Sequence, residues 1–162
     1  MADFGDLNSF IDDYDISFTF NGVEYKETFD FKRVAAFKAY QVDYNDRLIE
    51  GEVGAAERRG LPYLAVAKLF GAEFDTSAWE FRKLPKDHFI NRMIADGATY
   101  EVIDRLVSGI WAKFELGDET AEKFIVAYDL GKALAPSSGT TNPETQQVPG
   151  ETSEDASETS KA

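Results

Sequence analysis

The stretch Ile16–Phe29, ISFTFNGVEYKETF, decides the fold because it predicts a β-hairpin. The dipeptide Asn21-Gly22 separates two runs in which apolar and polar residues alternate. A two-residue type I′ turn requires positive φ at both central positions, which Asn tolerates and Gly adopts freely. The pattern therefore predicts two short antiparallel strands joined at this dipeptide.

The predicted hairpin has one apolar face and one polar face, because alternate side chains of a strand point to the same side. The turn places Phe20 opposite Val23 and Phe18 opposite Tyr25. The apolar face consists of Ile16, Phe18, Phe20, Val23 and Tyr25. A lone hairpin is marginally stable in water, so other elements must cover this face. Because an open strand edge accepts further strands, we also expect the hairpin to be a self-association edge, giving a homo-oligomer.

Composition indicates a globular protein with a strong negative charge. The chain has 162 residues, of which 43% are hydrophobic and 14% aromatic, enough for one domain with a real core. With 30 acidic and 17 basic residues its net charge is −13, a field that repels phosphate backbones and anionic lipid. We therefore expect no nucleic-acid and no membrane partner. No apolar run approaches the roughly 20 residues that span a bilayer, and the acidic start is unlike a signal peptide, so we expect a cytoplasmic protein.

Amphipathic segments after the hairpin predict a helical body. The spacing of apolar residues and the capping residues predict helices over 30–49, 61–70, 86–96, 99–116 and 118–131. Two further short helices are predicted, one near the N-terminus over residues 4–11 and one from Asp75 or Thr76 to Pro85. Residues 51–60 hold three glycines and predict a loop.

The last 28 residues differ in composition from the rest. Residues 135–162 are rich in Ser, Thr, Glu and Pro, contain no aromatic residue, and account for −4 of the net charge. Such a segment cannot bury enough apolar surface to offset the entropy of ordering it. We therefore predict a folded domain over 1–134 and a disordered acidic tail over 135–162. The predicted fold class is α+β and mostly helical, with the hairpin packed on a bundle of about five helices.

No pattern of residues predicts catalysis, a cofactor or a metal. The chain has no Cys, which excludes thiolate chemistry and disulfides. Its single His, His88, has no nucleophile signature around it and is expected on the surface of a helix. The acidic run at residues 12–15 lacks the Gly and the distal Glu of a calcium loop, and residues 51–60 lack the Lys of a phosphate loop. We therefore expect a protein that is not an enzyme, with no cofactor and no metal site.

Three stretches give the chain a family resemblance: FGDLNSFIDD at 4–13, ISFTFNGVEYKETFDF at 16–31 and WEFRKLP at 79–85. Together with the order of hairpin, helical body and acidic tail, they resemble the tail assembly chaperones of long-tailed, siphovirus-type bacteriophages of actinobacteria. The resemblance covers about 130 residues in layout. It implies a protein that binds the long helical tape-measure protein, keeps it soluble before the tail tube polymerises, and is absent from the finished virion.

The resemblance also implies a second, longer product of the same gene, made by a programmed ribosomal frameshift, as a further partner. This chain would be the shorter product, with the slip site at the codons for Gly131-Lys132. Aromatic side chains of the helical body are the candidate contacts for client helices: Trp79, Phe81, Trp111 and Phe114. Two other classes stay open, a structural tail or head-completion protein of the virion and an acidic anti-host protein that mimics DNA.

Overall fold

A computed structural model describes residues 1–10 and 13–134 of the chain. The chain divides into two units, the first over residues 1–126 and the second beginning at residue 127. In the second unit the structure describes 127–134, the last part of one helix. The fold is α+β and mostly helical, with a β-hairpin ahead of the helices, as the sequence predicts. The predicted tail, 135–162, lies outside the described residues.

The N-terminal hairpin forms with the predicted register. Strand β1 (Asp15–Phe20) pairs antiparallel with strand β2 (Val23–Thr28). Phe18 lies opposite Tyr25, and their rings stack with centroids 4.9 Å apart. The two turn residues have positive φ, 51° and 76°, as the Asn-Gly dipeptide predicts.

Six helices follow the hairpin in the part of the chain that the structure describes. They are α1 (Phe31–Ile49), α2 (Ala55–Arg59), α3 (Leu61–Phe70), α4 (Phe89–Ala95), α5 (Tyr100–Leu116) and α6 (Asp118–Leu134). Between α3 and α4 lie two short strands, β3 (Glu73–Asp75) and β4 (Glu80–Arg82). Helix α1 begins where the sequence predicts, because the Asp30 carboxylate accepts the Arg33 N–H at 2.8 Å. Helix α6 continues three residues beyond the predicted end at Gly131.

The core lies where α1, α3 and α5 meet. Phe37, Leu69 and Val107 come from these three helices and are 0%, 2% and 0% exposed. The apolar face of the first hairpin covers this core, and Phe18 reaches the ring of Phe89 in α4 at 6.0 Å between centroids. One residue of that face differs from the prediction, because Val23 beside the turn is 47% exposed.

The turn of the first hairpin is fastened to α4. The side-chain amide of Asn21 donates a hydrogen bond to the backbone oxygen of Asp96, the C-cap of that helix, at 2.8 Å. Asn at this position therefore serves two purposes, since it tolerates positive φ and it satisfies a carbonyl at a helix end.

The prediction of a helix between Asp75 and Pro85 is wrong, because this segment forms the second hairpin. Phe74 of β3 pairs with Phe81 of β4, and both rings pack on Tyr63 of α3. The Asp75 carboxylate accepts the N–H groups of Ser77 and Ala78, so it caps a turn and not a helix. The side-chain oxygen that predicts a helix start serves a turn equally well.

The prediction of a loop over residues 51–60 is also incomplete, because α2 occupies its second half. Glu57 holds α2 against α1 through both oxygens: its carboxylate accepts two N–H groups of Arg47 at 2.8 and 2.6 Å and the Tyr40 hydroxyl at 2.9 Å. Near the N-terminus the predicted helix is a single 3₁₀ turn, Leu7–Phe10. Its predicted last residue, Ile11, lies outside the described residues.

Candidate partner-binding pocket

A pocket of about 380 Å³ opens between the second hairpin, α4 and the start of α5. The residues that shape its wall and mouth are Trp79, Phe81, Leu84, Ile94, Tyr100 and Ile103. We call it the aromatic pocket. Two of the four predicted contact residues, Trp79 and Phe81, therefore lie together at one surface site.

The second hairpin presents its aromatic side chains to this pocket because of its tight turn. Trp79 has a φ of 57°, a left-handed conformation that few large residues adopt. Its indole lies 5.1 Å from the ring of Phe74 and 5.1 Å from the ring of Tyr63. Packing on these two buried rings offsets the strain of the turn and fixes the indole at the pocket wall.

Three polar groups of the pocket are uncharged donors: the hydroxyls of Tyr63 and Tyr100 and the indole N–H of Trp79. The Tyr63 hydroxyl donates a hydrogen bond to Asp104 at 2.9 Å, and burial followed by this carboxylate raises the pKa of Tyr63 far above its usual value. Burial also raises the pKa of Tyr100. The Trp79 Nε1 is buried beside Tyr100, and no described group accepts a hydrogen bond of normal geometry from it. Both phenols therefore stay protonated at neutral pH and keep their O–H groups as hydrogen-bond donors.

The mouth of the aromatic pocket contains two apolar residues open to solvent. Ile94 and Tyr100 are each 54% exposed. Apolar spacing in the helix predicted over 86–96 places Ile90, Met93 and Ile94 on its inner face. For Ile94 this prediction is wrong, because α4 buries Ile90 and Met93 on its core side and leaves Ile94 exposed. Tyr100, the first residue of α5, is not among the predicted contact residues. Its spacing of three residues from Ile103 and seven from Val107 places it at the N-terminal end of the apolar stripe of that helix, and this spacing is the signal that identifies it.

The other two predicted contact residues lie elsewhere. Phe114 is 6% exposed and contacts Phe37 in the core, with ring centroids 6.0 Å apart. Trp111 is partly buried, donates from Nε1 to the side-chain oxygen of Gln41 at 3.1 Å, and packs edge-on against Phe124. Neither lines the aromatic pocket, so the structure brings together only half of the predicted set.

The expectation that His88 is a surface residue is wrong. Its imidazole is partly buried against Phe70, with ring centroids 4.6 Å apart, and it caps α4 by accepting the Ile90 N–H at Nδ1. Burial, with the nearby charge of Arg92, lowers its pKa to about 4, while Asp87 has the opposite effect. The neutral imidazole is thus a structural cap in this position.

Among residues 1–10 and 13–134, no group of three or more His, Asp or Glu side chains is placed to hold a metal ion. Within the same described ranges, every helix is too short or too polar to cross a lipid bilayer. No protein-family model, curated protein or solved structure matches this chain.

Proposed function

We propose that this chain is a phage tail assembly chaperone, which binds the tape-measure protein in the host cell cytoplasm and keeps it soluble during tail assembly. The observation that supports this role is the aromatic pocket, which opens to solvent on an acidic body and groups Trp79, Phe81 and Tyr100 at one surface site. Aromatic residues are enriched in the surfaces that proteins use to bind each other. The family resemblance supplies the identity of the client.

The lining of the pocket suits the apolar side chains of a client helix. Its walls are mainly aromatic and aliphatic, Asn91 and Thr99 are polar, and Glu80 is the only charged residue among those that line it. An amphipathic helix docks into such a groove through apolar residues at i, i+3 and i+4. Ile94 and Tyr100, already exposed at the mouth, would become buried when such a helix binds.

The net charge of −13 supports a role in solubility. A chaperone covers part of the apolar stripe of a long client helix. It must also prevent the uncovered parts of that stripe from associating with other client molecules. Like charge on every bound copy makes neighbouring copies repel each other along the client. The same charge makes basic segments of a client attractive partners.

The test is co-expression of this chain with the tape-measure protein encoded in the same genome. We expect the client to move into the soluble fraction and to co-purify with this chain. A client that stays insoluble while this chain purifies alone would contradict the chaperone role. Detection of this chain in purified virions at a fixed stoichiometry would favour the structural class instead.

A pair of matched variants locates the client on the surface. Ile94→Glu places a charge at the mouth of the aromatic pocket, and Val42→Glu places the same charge on an exposed residue of α1. Both residues are more than half exposed, so neither change removes a buried contact. We expect Ile94→Glu to reduce soluble client at least roughly tenfold, a difference of about 1.4 kcal/mol, and Val42→Glu to have no effect. Equal loss with both variants would place the client elsewhere.

The frameshift is tested separately on the nucleotide sequence. The proposed role includes a longer product that shares these residues up to the region of Gly131-Lys132. We expect a slippery heptamer at those codons and an overlapping −1 reading frame. A gene with neither feature makes only one product, and the longer partner is then removed from the proposal.

A further inference from the structure

The first hairpin has an open backbone edge along β1. In a hairpin with a two-residue turn, the residues next to the turn form a hydrogen-bonded pair, and such pairs then alternate along the strands. Phe20, Phe18 and Ile16 therefore point their backbone groups at β2. Ser17 and Thr19 point theirs away from it, and among the described residues no hydrogen bond reaches those backbone groups.

A groove of about 480 Å³ runs along this edge. Four consecutive residues of β1, residues 15–18, form one wall. Helix α5 supplies Leu106 and Ile110, and the first turns of α6 supply Ala121 and Ile125. The edge therefore borders an apolar surface between a strand and a helix. None of its lining residues lines the aromatic pocket, so binding here is independent of the proposed chaperone site.

At Gly109 of α5 no side chain projects into the groove. A Cβ atom at this position would lie 3.1 Å from Cδ1 of Ile125, closer than a relaxed contact. The absence of a side chain lets Ile125 approach α5 and leaves the space beside β1 open. Alternate side chains of a strand added to β1 would point onto this surface.

The charges around the groove select the occupant. Three carboxylates and two cations line the groove: Asp15, Asp118, Glu122, Arg105 and Lys113, so acidic groups exceed basic ones by one. Lys113 is bound to Asp118 at 2.7 Å, and Arg105 also has a partner, whereas the carboxylates of Asp15 and Glu122 form no ion pair with another described residue. A second copy of this chain would bring another net charge of −13 to this surface. A segment with Lys or Arg between its apolar residues is complementary to both the apolar lining of the groove and its carboxylates.

We propose that the open edge of β1 binds an extended, basic peptide segment as a third strand, with alternate apolar side chains in the groove beside α5 and α6. Its backbone bonds to Ser17 and Thr19, and its cations lie near Asp15 and Glu122. This is strand addition, in which backbone hydrogen bonds give affinity and the pockets for alternate side chains give selectivity.

The test uses a short capped peptide of alternating lysine and valine, titrated into the full chain with the amide signals of Ser17 and Thr19 observed by NMR. Two matched peptides serve as controls, one with N-methyl groups on alternate backbone amides and one with glutamate in place of lysine. We expect the parent peptide to bind and to protect both amides from exchange. We expect each control peptide to bind at least roughly tenfold more weakly, through loss of backbone hydrogen bonds or of charge complementarity.

A pair of proline variants tests the edge itself. Ser17→Pro removes an outward N–H of β1, and Lys26→Pro removes the outward N–H of the residue directly opposite on β2. Neither change removes a hydrogen bond between the two strands. We expect Ser17→Pro to reduce the affinity for the peptide at least roughly tenfold and Lys26→Pro to leave it unchanged.

Equal effects of the two prolines on peptide affinity, or equal binding of the N-methylated and parent peptides, overturn the proposal. So does a dimer of this chain that Ser17→Pro abolishes, because the occupant is then a second copy.

Discussion

His88 makes the free energy of unfolding depend on pH. Its pKa is about 4 in the folded protein and about 6.5 in an unfolded chain. The unfolded state therefore binds a proton more readily, so the contribution of the neutral imidazole is complete above pH 6.5 and is lost as the pH falls to about 4. Protonation also removes the Nδ1 acceptor that caps α4. Between pH 6.5 and 4 we expect the free energy of unfolding to fall by about 2 kcal/mol less in the variant His88→Asn than in the wild type.

The measurement is urea unfolding at several pH values between 7 and 4, followed by tryptophan fluorescence. His88→Asn is the matched control because Asn caps a helix well and does not titrate. Carboxylates titrate in both proteins, so the difference between the two curves isolates the imidazole. Parallel curves would mean that the imidazole is protonated in the folded state without cost.

Sequence patterns predict the role of some single residues correctly and the exposure of others wrongly. Asp30 is predicted as a helix cap and is one, because capping depends on neighbours a few positions away. Ile94 and His88 are predicted wrongly, since their exposure depends on how a two-turn helix is rotated against the core. Apolar spacing over seven residues does not determine that rotation, and only the contacts of Phe89 and Met93 do.

At the level of elements, α2 depends on a single carboxylate. Glu57 accepts hydrogen bonds from Arg47 and Tyr40, and Arg47 lowers its pKa. Glu57→Ala leaves both donors without this acceptor, so we expect a loss of about 1–2 kcal/mol in the free energy of unfolding. We also expect faster amide exchange over 55–59, since that helix buries no residue of its own.

The variant Asp43→Ala is the control for this prediction because it removes the other carboxylate bound to Arg47. That ion pair lies within one helix, at 2.8 Å, and its carboxylate is exposed. Exposed pairs of this kind contribute little, so we expect a change below about 0.5 kcal/mol. A larger effect for Asp43→Ala than for Glu57→Ala would show that α2 is held by packing and not by this network.

For some elements the local sequence pattern fits a single secondary structure, and for others it fits two. The first hairpin and α5 are predicted correctly, because an Asn-Gly turn and a long 3.6-residue stripe each have few alternatives. The second hairpin is not, because Asp75 followed by spaced aromatic residues fits a short helix or a turn equally well. Its contact with Tyr63, distant in sequence, decides between them. The aromatic pocket depends on that hairpin, so its aromatic residues are predictable from sequence but its location is not.

For the whole molecule, charge is the property that composition predicts best and that every proposed interaction uses. Residues 1–134 hold a net charge of −9. The two proposed sites are apolar surfaces within this field, so both favour partners with basic flanks. Affinity at either site should therefore fall with ionic strength, whereas the apolar contacts themselves should not weaken.

The same charge opposes the compact state, which gives a final prediction about salt. Folding concentrates like charges, and mobile ions screen their repulsion beyond about 10 Å at 0.1 M. Screening also weakens ion pairs such as Lys83 with Glu73 and Lys123 with Glu119, but these are exposed and contribute little. The repulsive term dominates, so we expect the free energy of unfolding to rise by roughly 1 kcal/mol between 10 and 300 mM NaCl.

Urea unfolding in NaCl and in KCl checks this, because screening does not distinguish the two cations. A decrease in stability would mean that the surface ion pairs outweigh the net repulsion, and a difference between the salts would indicate a specific cation site.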